Sequence, residues 1–359
     1  MTIYIITIAI LAILSFIELE VNSKKVKNNI LIIGCIILIL ETGLRWETGT
    51  DWEPYLNAFK NLNSIKDVFS ISNGMEIGYN IFVYLSKLIS PSYSIFLLVH
   101  SILYYFLLFL FLKFIIPYRT ITLLLIYCST IGLLGSNRQL IALVICLNSL
   151  KFIREKNINK FIMYIIIAAT FHLTAIIFVI YYFIDKDIEI KKLAFIIIIS
   201  ILIGYSKLPE ILFSYFVNLI GFGFGGKYII YLKNAKDVLD QEKLSLIGLI
   251  KRMTFLIIFY YNKDKLSKAF PFYKIMLNGY SLGIIIYFIF NKSFLVLISR
   301  GSIYFNIMEP ILIVCQFMIY RKKREQIFLI IVLFLISIYM FINYIQTYPD
   351  LFIPYKAII

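Results

Sequence analysis

Charge is scarce in this chain. Asp, Glu, Lys and Arg together make up only 15% of its 359 residues, against about 25% in soluble domains. A core built from the 61% hydrophobic fraction would lack the polar surface to cover it, which excludes a soluble globular enzyme. Disorder is excluded as well, because so apolar a chain buries far more surface than its ordering costs. Histidine occurs twice, at His100 and His172, and cysteine four times, at Cys35, Cys128, Cys146 and Cys315. No CxxC pair occurs, and all four cysteines lie inside apolar runs, so they read as small core hydrophobes rather than a metal or disulfide framework. Acidic residues are the scarcer charge, 20 against 35 basic, leaving a net charge of +15. In a soluble protein that excess would point to nucleic acid. In a membrane protein it marks cytoplasmic loops, and no nucleic-acid partner is expected. The strictly alternating segments of about ten residues that build a transmembrane barrel are missing too. The N-terminal run has neither a basic stretch nor a small-residue cleavage site, so it reads as a retained helix and not as a signal peptide.

What is present is a series of continuous, Ile-rich runs with a mean hydropathy of +0.89. They define an all-α fold, a polytopic integral membrane helical bundle read as a single domain over residues 1–359. A span needs about 20 apolar residues. Candidates are Ile3–Phe16, Ile30–Leu44, Tyr93–Ile116, Thr120–Leu134, Leu140–Phe152, Leu193–Tyr205, Leu246–Tyr261, Tyr273–Phe290, Leu295–Tyr320 and Ile327–Ile345. Six basic clusters set the sidedness: Lys24–Lys27, Lys113 with Arg119, Lys151–Lys160, Lys186–Lys192, Lys263–Lys268 and Arg321–Arg324. Placing all six inside gives a self-consistent path. On it, Glu76–Ile89 becomes an interfacial or re-entrant helix, and Phe161–Ile184 a short hairpin with its apex near Phe171–His172. A rival path lets both segments cross and puts the Lys151–Lys160 cluster outside. On the first path the segments 45–74 and 206–243 lie outside, the second carrying a Gly-rich stretch at Gly221–Gly226.

Ionisable groups at or inside a membrane are costly and mark function by default. The densest set is Arg45–Tyr55, where Arg45, Glu47, Asp51 and Glu53 surround Gly49, a residue suited to a tight turn. Asp51 followed by Pro54 also fits a helix start, with Asp51 as its cap. Trp46 and Trp52 suit an interface. Arg138, in Ser136–Gln139, stands at a helix mouth away from any basic cluster, where a guanidinium suits a phosphate. His172 titrates near neutrality and is a candidate base, whereas His100 has no supporting neighbours and reads as structural. Lys251, Arg252 and Arg300 lie in apolar runs and are not explained by sidedness. Arg45, Arg138 and Arg300 fall on the outer side of the first path, with His172 at the apex of the same face. Several cations around one outer cavity point to a polyanionic ligand, such as a lipid-linked phosphate or pyrophosphate.

Taken in order, these motifs resemble the EpsG family of bacterial exopolysaccharide polymerases, which are similar to Wzy-type O-antigen polymerases. The resemblance rests on ArgTrpGluThrGlyThrAspTrpGluProTyr at Arg45–Tyr55, GluIleGlyTyr at Glu76–Tyr79 and AsnArgGlnLeuIleAla at Asn137–Ala142. It continues through AlaAlaThrPheHisLeuThrAla at Ala168–Ala175, the stretch around Arg300 and ProTyrLys at Pro354–Lys356. The ArgTrp start and the missing aliphatic residue before Gly49 are mild departures. The resemblance implies a multi-pass protein of the bacterial plasma membrane, with a fold like that of type C glycosyltransferases and interfacial or re-entrant helices on the outer face. It implies transfer of a growing glycan from undecaprenyl pyrophosphate to a new lipid-linked repeat unit. The implied partners are the undecaprenyl-pyrophosphate-linked oligosaccharide and membrane lipid, with a chain-length regulator and a flippase of the same pathway as candidates.

That chemistry needs cations for the pyrophosphate leaving group and a base for the acceptor hydroxyl. Asp51 is the first candidate base and His172 the second. Arg45, Arg138, Arg300, Arg252 and Lys251 are the candidate pyrophosphate ligands, and Trp52, Tyr55 and Glu53 candidate glycan contacts. No metal or other cofactor is expected. Two other activities fit parts of the pattern. A type C glycosyltransferase using a polyprenyl-phosphate sugar would also place acidic residues in an outer loop. A flippase or transporter of lipid-linked oligosaccharides would be expected to show related halves with broken helices, and no such symmetry is visible.

Overall fold

The computed structural model describes residues 1–70, 74–116, 118–211, 215, 246–291, 300–320 and 322–358. The Gly221–Gly226 stretch, most of the segment 206–243 and the first residues of the expected Leu295–Tyr320 span lie outside them. The described residues are helices and connecting loops, with no strand beyond one isolated two-residue bridge. Five helices are long and apolar enough to cross a membrane: Thr2–Glu20, Lys24–Gly43, Tyr93–Phe114, Tyr273–Phe290 and Lys323–Gln346. In lipid the backbone must satisfy its own hydrogen bonds, and a continuous helix does so. The chain is therefore a polytopic helical membrane protein. The first helix shows how the faces are used. Its buried stripe holds the polar residues of its interior, Thr7, Ser15 and Glu18, while Ile5, Ile6, Ile13 and Ile17 are exposed. Away from its ends, polar groups turn inward and most isoleucines outward, the arrangement a bilayer rewards.

The described chain divides into two compact units, Met1–Val179 with Phe317–Ile359, and Ile180–Gln316. The first unit contains α1 (Thr2–Glu20), α2 (Lys24–Gly43), α3 (Trp52–Asn61), α4 (Ile65–Val68), α5 (Ile77–Ile89), α6 (Tyr93–Ile115), α7 (Arg119–Thr130), α8 (Asn137–Arg154), α9 (Ile158–Phe171) and the helix Lys323–Thr347. Helix α8 is buried along nearly its whole length and packs on α6 and α9, while α2 packs on α6 and α7 on α1. At 13 residues, α5 is about 20 Å long, short of the hydrocarbon thickness of about 30 Å. The expected run Thr120–Leu134 is helical only to Thr130; a 3-10 turn, Ile131–Leu133, follows it. Helix α9 stops at Phe171, His172 adopts extended backbone, and a 3-10 helix, Leu173–Tyr182, begins.

In the second unit the helix Tyr273–Phe290 packs against Ile190–Tyr205, Leu246–Tyr261, Ile303–Asn306 and Met308–Cys315. The expected single span over Leu295–Tyr320 is interrupted. Its described part breaks into Ile303–Asn306, Met308–Cys315 and the 3-10 turn Gln316–Ile319. Pro310 contributes: it has no N–H to donate, and it sits in the first turn of the middle piece, where that loss is tolerated.

Candidate active site

The loop after α2 is held from the far end of the chain. Arg45 and Ala357 form an antiparallel bridge. Around it, Trp46 N–H donates to Lys356 O (2.9 Å), Ile358 N–H to Leu44 O (3.0 Å) and Gly49 N–H to Leu351 O (2.9 Å). Tyr355 donates its hydroxyl to Glu41 O, and Lys356 Nζ pairs with Glu47 Oε2 at 2.8 Å. The tight turn expected at Gly49 is present, with φ +107°, and it lies against a second turn at Gly135 with φ +109°. The two backbones are so close that a Cβ on Gly49 would sit 2.1 Å from Leu134 O. Thr50 N–H donates to that same carbonyl at 3.0 Å.

This contact brings Asp51 to the start of α8. Asp51 occupies the N-cap position of α3, as expected, but makes no side-chain cap hydrogen bond. Its Oδ2 instead accepts from Ser136 Oγ at 3.2 Å. One turn into α3, Tyr55 accepts from Arg138 Nε at 3.0 Å. Arg138 Nη1 also donates to Gly74 O at 3.3 Å and pairs with Glu76 Oε2. The other oxygen of Glu76 accepts from Leu173 N–H at 3.2 Å, one residue past His172. The His172 ring is buried, with Nδ1 2.7 Å from Thr174 Oγ1. Helices α5 and α9 meet here closely enough that a Cβ on Gly78 would lie 2.2 Å from Thr170 Oγ1. Four segments far apart in sequence, 49–55, 74–78, 134–138 and 170–174, thus form one hydrogen-bonded cluster in the first unit. Beside it lies a cavity of about 520 Å³, lined by Glu76, Ile77 and Thr170 and by apolar residues of α9 and of the 3-10 helix that follows.

Two further candidates are buried. Arg45, expected on the outer side as a pyrophosphate ligand, is 3% exposed. Its guanidinium donates to Thr42 O and, at 2.8 Å, to Asn137 Oδ1. The last carbonyls of a helix lack intrahelical donors, and Arg45 supplies one for α2. It lines a small void of about 20 Å³ with His100, whose Nε2 lies 2.9 Å from Asn137 O. Tyr55 was expected to offer a face to sugars. Its ring is buried and packs edge-on against Tyr79 at 5.5 Å, and burial pushes its hydroxyl above the usual range, with Arg138 opposing the shift. Trp52 is half-buried and Glu53 exposed at the first turn of α3. Trp46 is half-buried, with its ring near Tyr93.

The remaining candidates belong to the second unit. Lys251 Nζ lies 2.9 Å from Glu309 Oε1. Arg252 Nε is 4.0 Å from Glu309 Oε2, and its Nη1 donates to Asn306 Oδ1 at 2.8 Å. Tyr280 OH lies 3.1 Å from Glu309 Oε2 and 3.0 Å from Arg252 O. Glu309 is 5% exposed. The sequence reading did not single it out, although an acid in an apolar run was a visible signal. Arg300 is half-buried where the described chain resumes. Among the described residues no three His, Cys, Asp or Glu side chains gather as a metal-ligand set.

Membrane-crossing helices and a polar cluster built from their connecting loops define a polytopic membrane protein with a candidate site at helix ends. The chain belongs to the EpsG family, whose model matches residues 28–357 and so covers both clusters. The family suggests a polysaccharide-polymerase-type role, and with it a glycosyltransferase-type enzyme of polysaccharide biosynthesis. Neither the curated proteins nor the solved structures give a match.

Proposed function

We propose that this protein polymerises a polysaccharide at the outer face of the bacterial plasma membrane, moving a growing glycan from undecaprenyl pyrophosphate onto a new lipid-linked repeat unit. The observation that carries this reading is the convergence of Asp51, Ser136, Arg138, Glu76 and the His172 segment in one cluster of the first unit. Attack by the acceptor hydroxyl on the anomeric carbon forms the new glycosidic bond and breaks the bond to the pyrophosphate. The hydroxyl must lose a proton, and the departing pyrophosphate must keep its charge stabilised. Asp51 is proposed as the base. It is a carboxylate on a loop locked between two turns, and the Ser136 hydroxyl fixes its orientation.

Arg138 is proposed as the cation for the pyrophosphate. Its planar fork suits phosphate oxygens, and it stands in the first turn of α8, where helix N–H groups add to the positive field. His172 is proposed to orient the acceptor. Arg45, held on Thr42 and Asn137, is assigned to the frame that fixes the start of α8. Lys251 and Arg252, already facing Glu309, are assigned to holding the second unit together. Trp52 and Glu53 stay as proposed glycan contacts, and Arg300 as a further proposed pyrophosphate ligand.

The test is extension of a purified lipid-linked repeat unit by the purified protein, with and without chelator. Polymer ladders from the wild type and none from Arg138→Ala, at equal protein levels and equal thermal stability, support the reading. Normal chain length from Arg138→Ala overturns the pyrophosphate assignment, and no extension by the wild type overturns the polymerase reading.

A further inference from the structure

The cavity beside Glu76 has a composition the transfer chemistry does not by itself require. Its walls are Ile162, Ile166 and Ala169 of α9, with Ile176 and Val179 from the 3-10 helix beyond His172. Its polar end is Glu76, the residue paired with Arg138. The volume of about 520 Å³ falls in the range of about 300–1,000 Å³ typical of ligand clefts. From Thr170 beside Glu76 to Ile162, the groove follows about 12 Å of helix. Ile166 is 60% and Ile176 52% exposed, so the groove is open along its apolar side, the side a bilayer would meet.

We infer that this groove seats the isoprenoid chain of the lipid-linked substrate, with the diphosphate head at Glu76 and Arg138; the inference rests on the polymerase reading above. The apolar walls match the chain of such an amphiphile, and the cation for its head, Arg138, reaches the groove's end through its pair with the lining residue Glu76. That pair is continuous with the proposed reacting groups. Glu76 is tied to Leu173 N–H beside His172, and Arg138 to Tyr55 on the helix that Asp51 begins. A lipid lying in the groove therefore delivers its head to those groups. Glu76 and Arg138 neutralise each other, so an arriving diphosphate exchanges with the carboxylate for the guanidinium fork.

Photo-crosslinking and kinetics test the assignment together. A photoreactive amino acid is placed at position 169 of the full chain in phosphatidylglycerol vesicles, and radiolabelled undecaprenyl pyrophosphate is added. Specific labelling, suppressed by unlabelled undecaprenyl pyrophosphate and unaffected by extra phosphatidylglycerol, is the expected result. Labelling that extra phosphatidylglycerol removes equally, or no labelling, overturns the inference and leaves an ordinary lipid-facing groove. In parallel, Ile162→Trp, at the end of the groove away from Glu76, should raise KM for the long-chain substrate about tenfold with kcat preserved, the loss of roughly two buried methylenes. The same variant should leave KM unchanged for a substrate with a shortened prenyl chain, a readout that misfolding would not produce. Equal effects on both substrates overturn the inference. Labelling at position 169 without extension by the wild type would instead sink the polymerase reading and leave the lipid groove standing.

Discussion

The two clusters of ionisable side chains are built in opposite ways. In the first unit, Asp51, Glu76 and Arg138 stand at helix starts or in the loops between helices. Arg138 and Glu76 keep 16% and 24% of their side-chain surface exposed. In the second, Lys251, Arg252 and Tyr280 lie well inside long helices; Glu309 starts the short helix Met308–Cys315 but is enclosed by those partners. Groups at helix ends can meet a ligand without breaking a helix contact. A carboxylate enclosed by two cations and a hydroxyl already has its charge answered, and its loss strands those cations. On the proposed reading, the first set is placed for chemistry and the second holds helices together, even though both are charges in an apolar chain.

The largest effect that would sharpen this contrast is on activity. Asp51→Asn should lower the rate of chain extension by about 10²–10⁴-fold, the usual contribution of a general base, with melting temperature unchanged; retained activity would remove Asp51 from the chemistry. Next, Glu309→Ala should destabilise the protein by about 1–3 kcal/mol, because Lys251 loses its carboxylate and Arg252 is left with Asn306 alone. Loss of monodisperse protein in detergent would show this, and a stable but inactive Glu309→Ala would erase the distinction between the clusters. Gly49→Ala should cost about 1–3 kcal/mol from its left-handed φ alone, and the close Leu134 carbonyl adds to that. It should lower extension more than it lowers the melting temperature if the turn serves Asp51.

The smallest effect belongs to Asp187, an exposed carboxylate held by Lys263 and Lys274, whose hydrogen bonds bring it down to about 2. That stabilisation is complete above the unfolded Asp value of about 3.9 and fades as pH falls toward about 2. Because the group is 54% exposed, Asp187→Asn should change stability at neutral pH by less than about 1 kcal/mol.

Composition and run length were enough to reveal the membrane class, because apolar length is a local property. The segments around Asp51, Glu76, Arg138 and His172 were legible as motifs for the same reason. What linear reading could not supply was register between helices. Nothing near Lys251 announces Glu309, more than fifty residues away in sequence and brought into contact only by packing. The partners of Arg45, the Thr42 carbonyl and the Asn137 side chain, are visible only once α2 ends and α8 begins beside it. Tyr55 could be placed near the site but not oriented, since its burial depends on Tyr79 from α5. Pro310 was visible in the run Leu295–Tyr320, yet a proline alone does not say whether a span bends or breaks.

The tie between the loop at 44–49 and the segment 351–358 also sets an order of events. Glu47 and Lys356 are 309 positions apart, so during synthesis the loop waits for almost the whole chain before these backbone partners exist. The early helices enter the membrane with this loop held by its contacts with Leu134 and Ser136, and its bonds to the segment 351–358 form only after the helix Lys323–Thr347 has followed them. Incomplete chains stalled before that helix therefore carry every motif of the first cluster but lack the second set of backbone bonds on its loop.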